Sequence, residues 1–416
     1  MKEKKHGFNL SFDNLAIPEI HPAGVQTETA SKGEADTVTF EDVAIPEVHI
    51  KRSKEMEQLI VQLRQQLHEI PEPSMKETKT RQTIMHFLKK HTSFVVVDMG
   101  EWFYAVKKAK VKTDQKPIAF RADMDAVCGA DGQARHLCGH DGHCSILCGV
   151  ALYFSKQEKP LKRDIYLIFQ PGEEIGQGAI LCKNLLQEKE IEEIYGLHNI
   201  PGYEKNRILV REETFACAST GLSIRLKGVE SHAAYPEAGR NPAVVFAKLI
   251  LDIKELEQNF LQKQEYVQMT VVGMKLGEKN FGVSAGEGEL YLTLRGEQEQ
   301  VFEQFISQIL EKTETYAKEN ALKADICEVD CFPATENEKE SVDKICVCAE
   351  KLQFLVEHLP SPMRWSEDFG YYLQTTKGAF FGIGDGVSHA QLHTLEYEFP
   401  DDIIKTGILM FVTLAE

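Results

Sequence analysis

Apolar runs that end in ionisable residues constrain this chain most. Ile118-Ala119-Phe120 delivers RADMD at its end, Ile165-Tyr166-Leu167-Ile168-Phe169 exits into Gln170-Pro171-Gly172-Glu173-Glu174, and Ile194-Tyr195-Gly196-Leu197 exits into His198. Helical spacing surrounds these runs. Met56, Leu59, Ile60, Leu63, Leu67 and Ile70 make one apolar face over residues 53–70, which Pro71 and Pro73 close. A second helix is expected over 77–90, then strand-like FVVVDM and WFYAV. Helices alternating with buried strands predict an α/β domain. Sheets of that kind place ligands at the carboxyl ends of their strands.

The residues gathered at those ends suit one chemistry. Cys138-Gly139-His140-Asp141-Gly142-His143 stands before an apolar helix expected over 144–155, and Leu392-His393 comes much later in SHAQLHTLEYEF. Thiolate, imidazole and carboxylate together make a plausible transition-metal set. Each cluster alone is ordinary, since His-rich turns and paired glutamates usually face water. Their joint occurrence at strand ends is what predicts a hydrolytic metal site.

RADMDA, HLCGHDGH, FQPGEE and GLHN, in this order, are similar to motifs of the metal-dependent M20 peptidase and amidohydrolase family. The branch resembled is that of the N-acyl-amino-acid, hippurate and auxin-conjugate hydrolases. SHAAYP, SEDFG and LHTLEYEFPD continue the likeness, which spans residues 53–416. The resemblance implies two divalent metal ions (zinc, manganese, cobalt or nickel) with Cys138, His140, Glu174, His198 and His393 as ligands. Cys138 takes the bridging place that a carboxylate fills in other branches. Glu173 is then the general base. Asp123 stands where other branches carry a ligand histidine, so Asp123 and Asp125 are read as residues that orient ligands. Asp141 and His143 are expected to shape the loop. His232, in a stretch that keeps Gly228, Ala233 and Pro236, is the implied oxyanion donor, commonly reaching the partner subunit's site. That makes a homodimer the expected assembly. Glu367 is a modest candidate for ligand or water contacts, with Ser366 read as a helix cap. Gly382-Ile383-Gly384-Asp385-Gly386 is read as a turn back towards His393. Arg295 matches a strand-end arginine of the family, although a structural ion pair is the preferred reading.

Near Ala218 the pattern changes. LSIRL alternates at 222–226, a helix is expected from Pro242 to Phe260, strands at 267–273 and 289–295, and a helix over 298–319. A half-buried sheet with two helices on one face fits. The expected fold class is therefore a catalytic α/β domain with its metal site at strand C-terminal ends, interrupted by a smaller α+β lid or dimerisation domain. The boundaries are 52–217, 218–326 and 327–416, with a tail over 1–51. Two stretches depart from the family pattern. Val127 is followed by Cys128 and a short loop that lines the entrance in relatives, and NFGVSAGEGE at 280–289 lacks the usual proline. The first is expected to widen the mouth or alter the acyl preference; the second puts substrate contacts there in doubt.

The tail repeats itself. LSFDNLAIPEIH at 10–21 matches VTFEDVAIPEVH at 38–49, with Phe12, Ala16, Pro18, Glu19 and His21 recurring as Phe40, Ala44, Pro46, Glu47 and His49. Two extended docking motifs, in cis or on a protein partner, fit this pattern; so does a duplicated tail that merely covers the enzyme.

Composition narrows the classes. A net charge of -17 speaks against nucleic acid as partner. No run approaches about eighteen apolar residues, so no membrane span is expected. MKEKKHGFNLSFDN has no apolar core of a secretory signal. Ten cysteines in 416 residues suit a reducing cytoplasm better than a disulfide scaffold. The leading expectation is an amidohydrolase that cleaves N-acyl amino acids or related small amides with Glu173 as base. A dipeptidase or carboxypeptidase of the same family is the alternative, and a binding component acting through the tail is a third.

Overall fold

The computed structural model describes residues 50–416 apart from 112 and 130, so the tail repeats lie outside the described residues. The chain opens with helices α1 (Ile50–His68) and α2 (Thr78–His91), then strands β1 (Val95–Asp98), β2 (Phe103–Lys107) and β3 (Ile118–Asp123). Helix α3 (His140–Lys156) leads into β4 (Ile165–Gln170), β5 (Glu193–Pro201) and β6 (Ile208–Val210). A separate block follows: β7 (Ala218–Lys227), α4 (Ala243–Gln262), β8 (Val267–Leu276), β9 (Glu287–Gly296), α5 (Glu299–Glu319) and β10 (Lys323–Phe332). The chain returns through α6 (Lys339–Lys351), β11 (Val356–His358), β12 (Lys377–Gly386) and α7 (Ile404–Ala415).

The first and last segments share an eight-stranded sheet in the order β1-β2-β4-β3-β5-β12-β6-β11, parallel through β4, β3, β5 and β12. Strands β4 and β5 are buried along their whole length, as a parallel centre covered by helices requires. Helix α1 turns Met56, Ile60, Leu63 and Leu67 inward and leaves Glu55, Glu57 and Gln66 in water. Phe411 of α7 makes a tilted ring contact at 4.7 Å with Phe120 of β3, fixing the last helix against the strand that carries Asp123.

The block between 218 and 332 is a four-stranded antiparallel sheet, β8-β9-β7-β10. Leu222, Ile224 and Leu226 alternate inward with Leu290, Leu292 and Leu294, and Phe246, Leu249 and Ile253 of α4 and Phe302, Phe305 and Ile309 of α5 cover them. The catalytic α/β layer is thus interrupted by a smaller α+β layer, as the sequence predicts; the last strand runs to Phe332, beyond residue 326. No helix among the described residues is long and apolar enough to cross a membrane.

Two expectations fail at strand ends. Residues 382–386 are not a turn but the buried end of β12, where Gly382 pairs with His198 and Gly384 with Ile200. The glycines are needed because the Glu204 carbonyl approaches so closely that a Cβ at Gly384 would sit 2.1 Å from it. That extra strand partner also prolongs β5 to Pro201, so His198 lies inside the strand rather than at its end. Helix α3 begins at His140, not at 144: after Gly139 the metal motif itself forms the first helical turn.

Candidate metal centre

Strand ends and one helix start bring the predicted residues together. Cys138 Sγ lies 3.4 Å from His198 Nε2 and 3.3 Å from His393 Nε2. His393 Nε2 is 3.4 Å from Glu174 Oε1, and His140 Nε2 is 3.8 Å from the same oxygen. The donor atoms form groups within 4.8 Å: Cys138, His140 and His198; Cys138, Glu174 and His393; and His140, Glu173 and Glu174. Cys138 belongs to two of these groups, and Glu173 adjoins both through His140 and Glu174.

The imidazoles are aimed by their far nitrogens. His140 Nδ1 donates to the Asp125 carbonyl at 2.9 Å, and His198 Nδ1 donates to the Asn199 carbonyl at 2.7 Å. Each Nε2 is therefore the atom turned to the cluster, the arrangement that orients metal-binding histidines. His393 adopts φ +63°, a conformation few residues take, and its N–H is held by the Leu137 carbonyl at 2.8 Å, beside Cys138. Asp125 ties the set together: its carboxylate accepts the Glu174 N–H at 3.0 Å and the Ser74 hydroxyl at 2.7 Å, close to the His140 ring.

The donor set fits a divalent cation. His140 Nε2 and Glu174 Oε1 are buried without a hydrogen-bond partner among the described residues, although they face one another. Such orphans are costly, and a cation between them satisfies both. The hydrogen bond to Cys138 and the close Glu174 carboxylate push His393 up to about 10. Against burial, Asp123 and then Cys138 hold His140 well above the usual imidazole value. The pocket thus favours positive charge at its centre. Burial and then His143 keep His198 well below the ordinary value, hence neutral and able to offer a lone pair. Burial and Glu174 push the Cys138 thiol up, so holding it as thiolate takes a cation.

Glu173 is 6% exposed and pushed well above the usual carboxyl range by burial, then by Glu367 and Glu174. Beneath it lies a charged network of which sequence reading identified only the acidic members. Arg121, 2% exposed, donates to Asp123 at 2.7 Å, Glu367 at 2.9 Å, Asp368 at 2.8 Å and Gln170 at 2.9 Å. An arginine inside the apolar run IAFRAD was the available signal, because a charge in a buried strand needs partners. Asp123 is accordingly not turned to the cluster alone; it also takes His143 Nδ1 at 2.7 Å. His143 Nε2 meets Asn199 at 2.6 Å, so both ring nitrogens are engaged. Asp141 contacts His68 at 2.8 Å and Arg64 at 3.7 Å, bracing the first turn of α3.

Other expectations are redirected. Glu367 is held by Arg121 and the Phe369 N–H, and it also lies in a donor group with Glu173 and Asp368. Ser366 caps no helix; its hydroxyl accepts from Arg295 at 2.9 Å, and Arg295 also donates to the Arg364 carbonyl. Arg295 thus ties β9 to the loop carrying Arg364 and Ser366 through neutral oxygens, not through an ion pair, because no carboxylate faces it among the described residues. The short stretch after Val127 folds as a hairpin, Val127–Cys128 against Ala134–Arg135, closed by an Asp131–Arg135 ion pair. NFGVSAGEGE supplies Val283–Ser284, which pairs with Ser231–His232. His232 is exposed on that ribbon and belongs to none of the donor groups. Its Nδ1 accepts the Ala234 N–H at 3.1 Å, so the neutral ring carries its proton on Nε2.

The sequence profile of peptidase family M20/M25/M40 matches residues 119–416. The chain is 25% identical over 375 residues to the N-acetyldiaminopimelate deacetylase of Lacticaseibacillus paracasei, covering 86% of this chain and 97% of that one. It is 27% identical over 366 residues to the deacetylase of the same name from Listeria monocytogenes, covering 82% and 95%. Among solved structures, a Bacillus subtilis protein described as a dinuclear metal-binding peptidase of the M20 family superposes with a TM-score of 0.73 at 22% identity, over 87% of this chain and 98% of that one. An aminobenzoyl-glutamate utilization protein from Klebsiella pneumoniae gives 0.68 at 17%, over 88% and 98%. The chain is a hydrolase of amide bonds and belongs to peptidase family M20/M25/M40.

Proposed function

We propose that this chain removes the acyl group from N-acyl amino acids or closely related small amides, with Glu173 as general base beside two divalent metal ions. The observation that carries the reading is the pair of donor groups sharing Cys138, with Glu173 next to both. Cys138, His140, Glu174, His198 and His393 would hold the ions, zinc, manganese, cobalt or nickel by donor type. Bound there, divalent metal polarises an amide carbonyl and lowers the pKa of water. The relatives named for N-acetyldiaminopimelate support an N-acetylated amino acid as the substrate class.

The chain's own residues carry the proton work. The Glu173 carboxylate takes a proton from the attacking water as the C–O bond forms, and returns it to the leaving nitrogen as the C–N bond breaks. A raised proton affinity, from burial and neighbouring carboxylates, suits that two-way transfer. His232, with its proton on Nε2, is the donor to the developing oxyanion.

A homodimer is the working unit of this reading. His232 is exposed, and edge strand β8 leaves Val272 62% and Met274 53% exposed for a second copy. Ten free thiols support a reducing, cytoplasmic setting. The test is amino acid release from N-acetyl, N-benzoyl and longer N-acyl amino acids, N-acetyldiaminopimelate and simple dipeptides, after stripping and reloading with each metal. Release from the acyl amino acids in a metal-dependent way is expected. Preference for dipeptides would overturn the substrate class, and silence with metal bound would overturn the activity.

A further inference from the structure

The segment between α1 and α2, PEPSMKE, reads in sequence as little more than a helix stop. In the fold it reaches the metal centre from below. Glu77 is 4% exposed, and its Oε1 accepts the Gly172 N–H at 2.8 Å and the Met75 N–H at 2.9 Å. Gly172 is the residue that turns β4 into Glu173 and Glu174, at φ +58°. Met75 itself sits at φ +64°, and its sulfur would lie only 2.6 Å from a Cβ on Gly172, so the two turns interlock. Ser74 donates to Asp125, whose same oxygen receives the Glu174 N–H. Pro73 bridges to Ala126, and the Ala126 N–H binds the Glu72 carbonyl. One short segment thereby holds both the turn that aims Glu173 and Glu174 and the aspartate that steers His140.

We propose that Glu77 is a positioning residue: with Ser74 and Met75 it clamps the Gly172 turn and Asp125, so that Glu173 and Glu174 point into the metal centre. Two consecutive glutamates given different tasks need such a clamp, because rotating the turn would exchange what they face. Burial and then Asp125 push Glu77 up to about 7, a cost that the fold carries to keep a carboxyl at this place. Nearby Glu72 offers an internal control. Its Oε2 accepts the Lys79 and Thr80 N–H groups at 2.7 and 2.9 Å, capping α2 without touching the turn.

The consequence for turnover rests on the amidohydrolase reading; the consequence for metal retention rests on the donor groups alone. The test compares Glu77→Ala, Glu77→Gln, Ser74→Ala and Glu72→Ala in the full chain loaded with zinc. Zinc loss to a chromogenic chelator is followed alongside kcat, KM and melting temperature. Glu77→Ala should release zinc faster and lose kcat by roughly 10²-fold with KM little changed, the size of effect expected for a small misplacement of catalytic groups. Glu77→Gln keeps the acceptor oxygen and should recover most of both. Ser74→Ala should show a smaller loss of the same kind, and it carries the test if Glu77→Ala does not fold. Glu72→Ala should lower the melting temperature while leaving zinc retention and kcat near wild type. Equal zinc retention in the Glu77 (or Ser74) and Glu72 variants would overturn the clamp. If the wild type turns over no amide, the substrate reading fails, while zinc retention still decides the clamp.

Discussion

The metal pocket and the His232 ribbon are built in opposite ways. Around Cys138 most donors are buried, and His140, Glu174, His198 and His393 each have a second group that fixes their direction: the Asp125 carbonyl for His140, Asp125 again for the Glu174 N–H, the Asn199 carbonyl for His198 and the Leu137 carbonyl for His393. His232 is exposed on a strand of two residues, steadied by Ala234 and a tilted contact with Tyr235. The pocket is preorganised by a single chain, whereas the ribbon leaves an imidazole exposed that, under the proposed function, would meet another copy. Under the proposed function, such a division would place ligand geometry in the rigid sheet and oxyanion donation in a part free to close over substrate.

Changes to the pocket and the ribbon should therefore differ in kind. Glu173→Ala should lower kcat by up to about 10⁴-fold, with metal content unchanged by elemental analysis; near-normal turnover would remove Glu173 from the role of base. Arg121→Met leaves Asp123, Glu367 and Asp368 buried without their cation, and should cost about 3–5 kcal/mol of stability in chemical denaturation. A loss much below that would mean the acidic groups find protons or water instead. His232→Ala should reduce kcat by about 10²–10³-fold while metal binding stays intact. Mixing it with the Glu173→Ala protein sharpens the contrast: hybrid dimers should regain activity if His232 serves the other copy, and remain silent if it serves its own.

The smallest effect is a pH dependence below the pocket. The hydrogen bond to Asp141 raises His68, and Asp141 is held low despite burial by His136, His68 and Arg64. A raised histidine contributes stability fully present below its unfolded value, about 6.5, and lost as pH rises through its folded value. The melting-temperature difference between wild type and His68→Gln should thus be larger at acidic pH than in mildly alkaline buffer. A difference constant across that range would show that the pair does not titrate as described.

Much of the fold was legible because the periodicities are long and clean. The apolar face of α1 and the alternation in β7 follow from spacing alone, since burial repeats every turn or every second residue. The candidate donors Cys138, His140, Glu174, His198 and His393 were picked out by the resemblance of their motifs to the M20 family, and the fold brings them into donor groups within 4.8 Å. What stayed hidden depends on contacts distant in sequence. Gly382 to Gly386 reads locally as a turn, but Ile200 and Glu204 pack where side chains would be, and the segment becomes central strand. Glycines in the metal motif likewise concealed the start of α3. The partners of Arg121 and Glu77 stayed hidden, although a charge within IAFRAD signalled that Arg121 needed some, because Glu367, Asp368 and Gly172 come from other parts of the chain.

Sharing of one thiolate between two donor groups is the central claim, and counting metal ions tests it most directly. Native mass spectrometry of the reloaded wild type and of Cys138→Ala gives that count. Two ions per chain in the wild type, and loss of both in the variant, are the predicted result. A wild type that binds at most one ion, or a Cys138→Ala protein that keeps two, would contradict a centre built around Cys138.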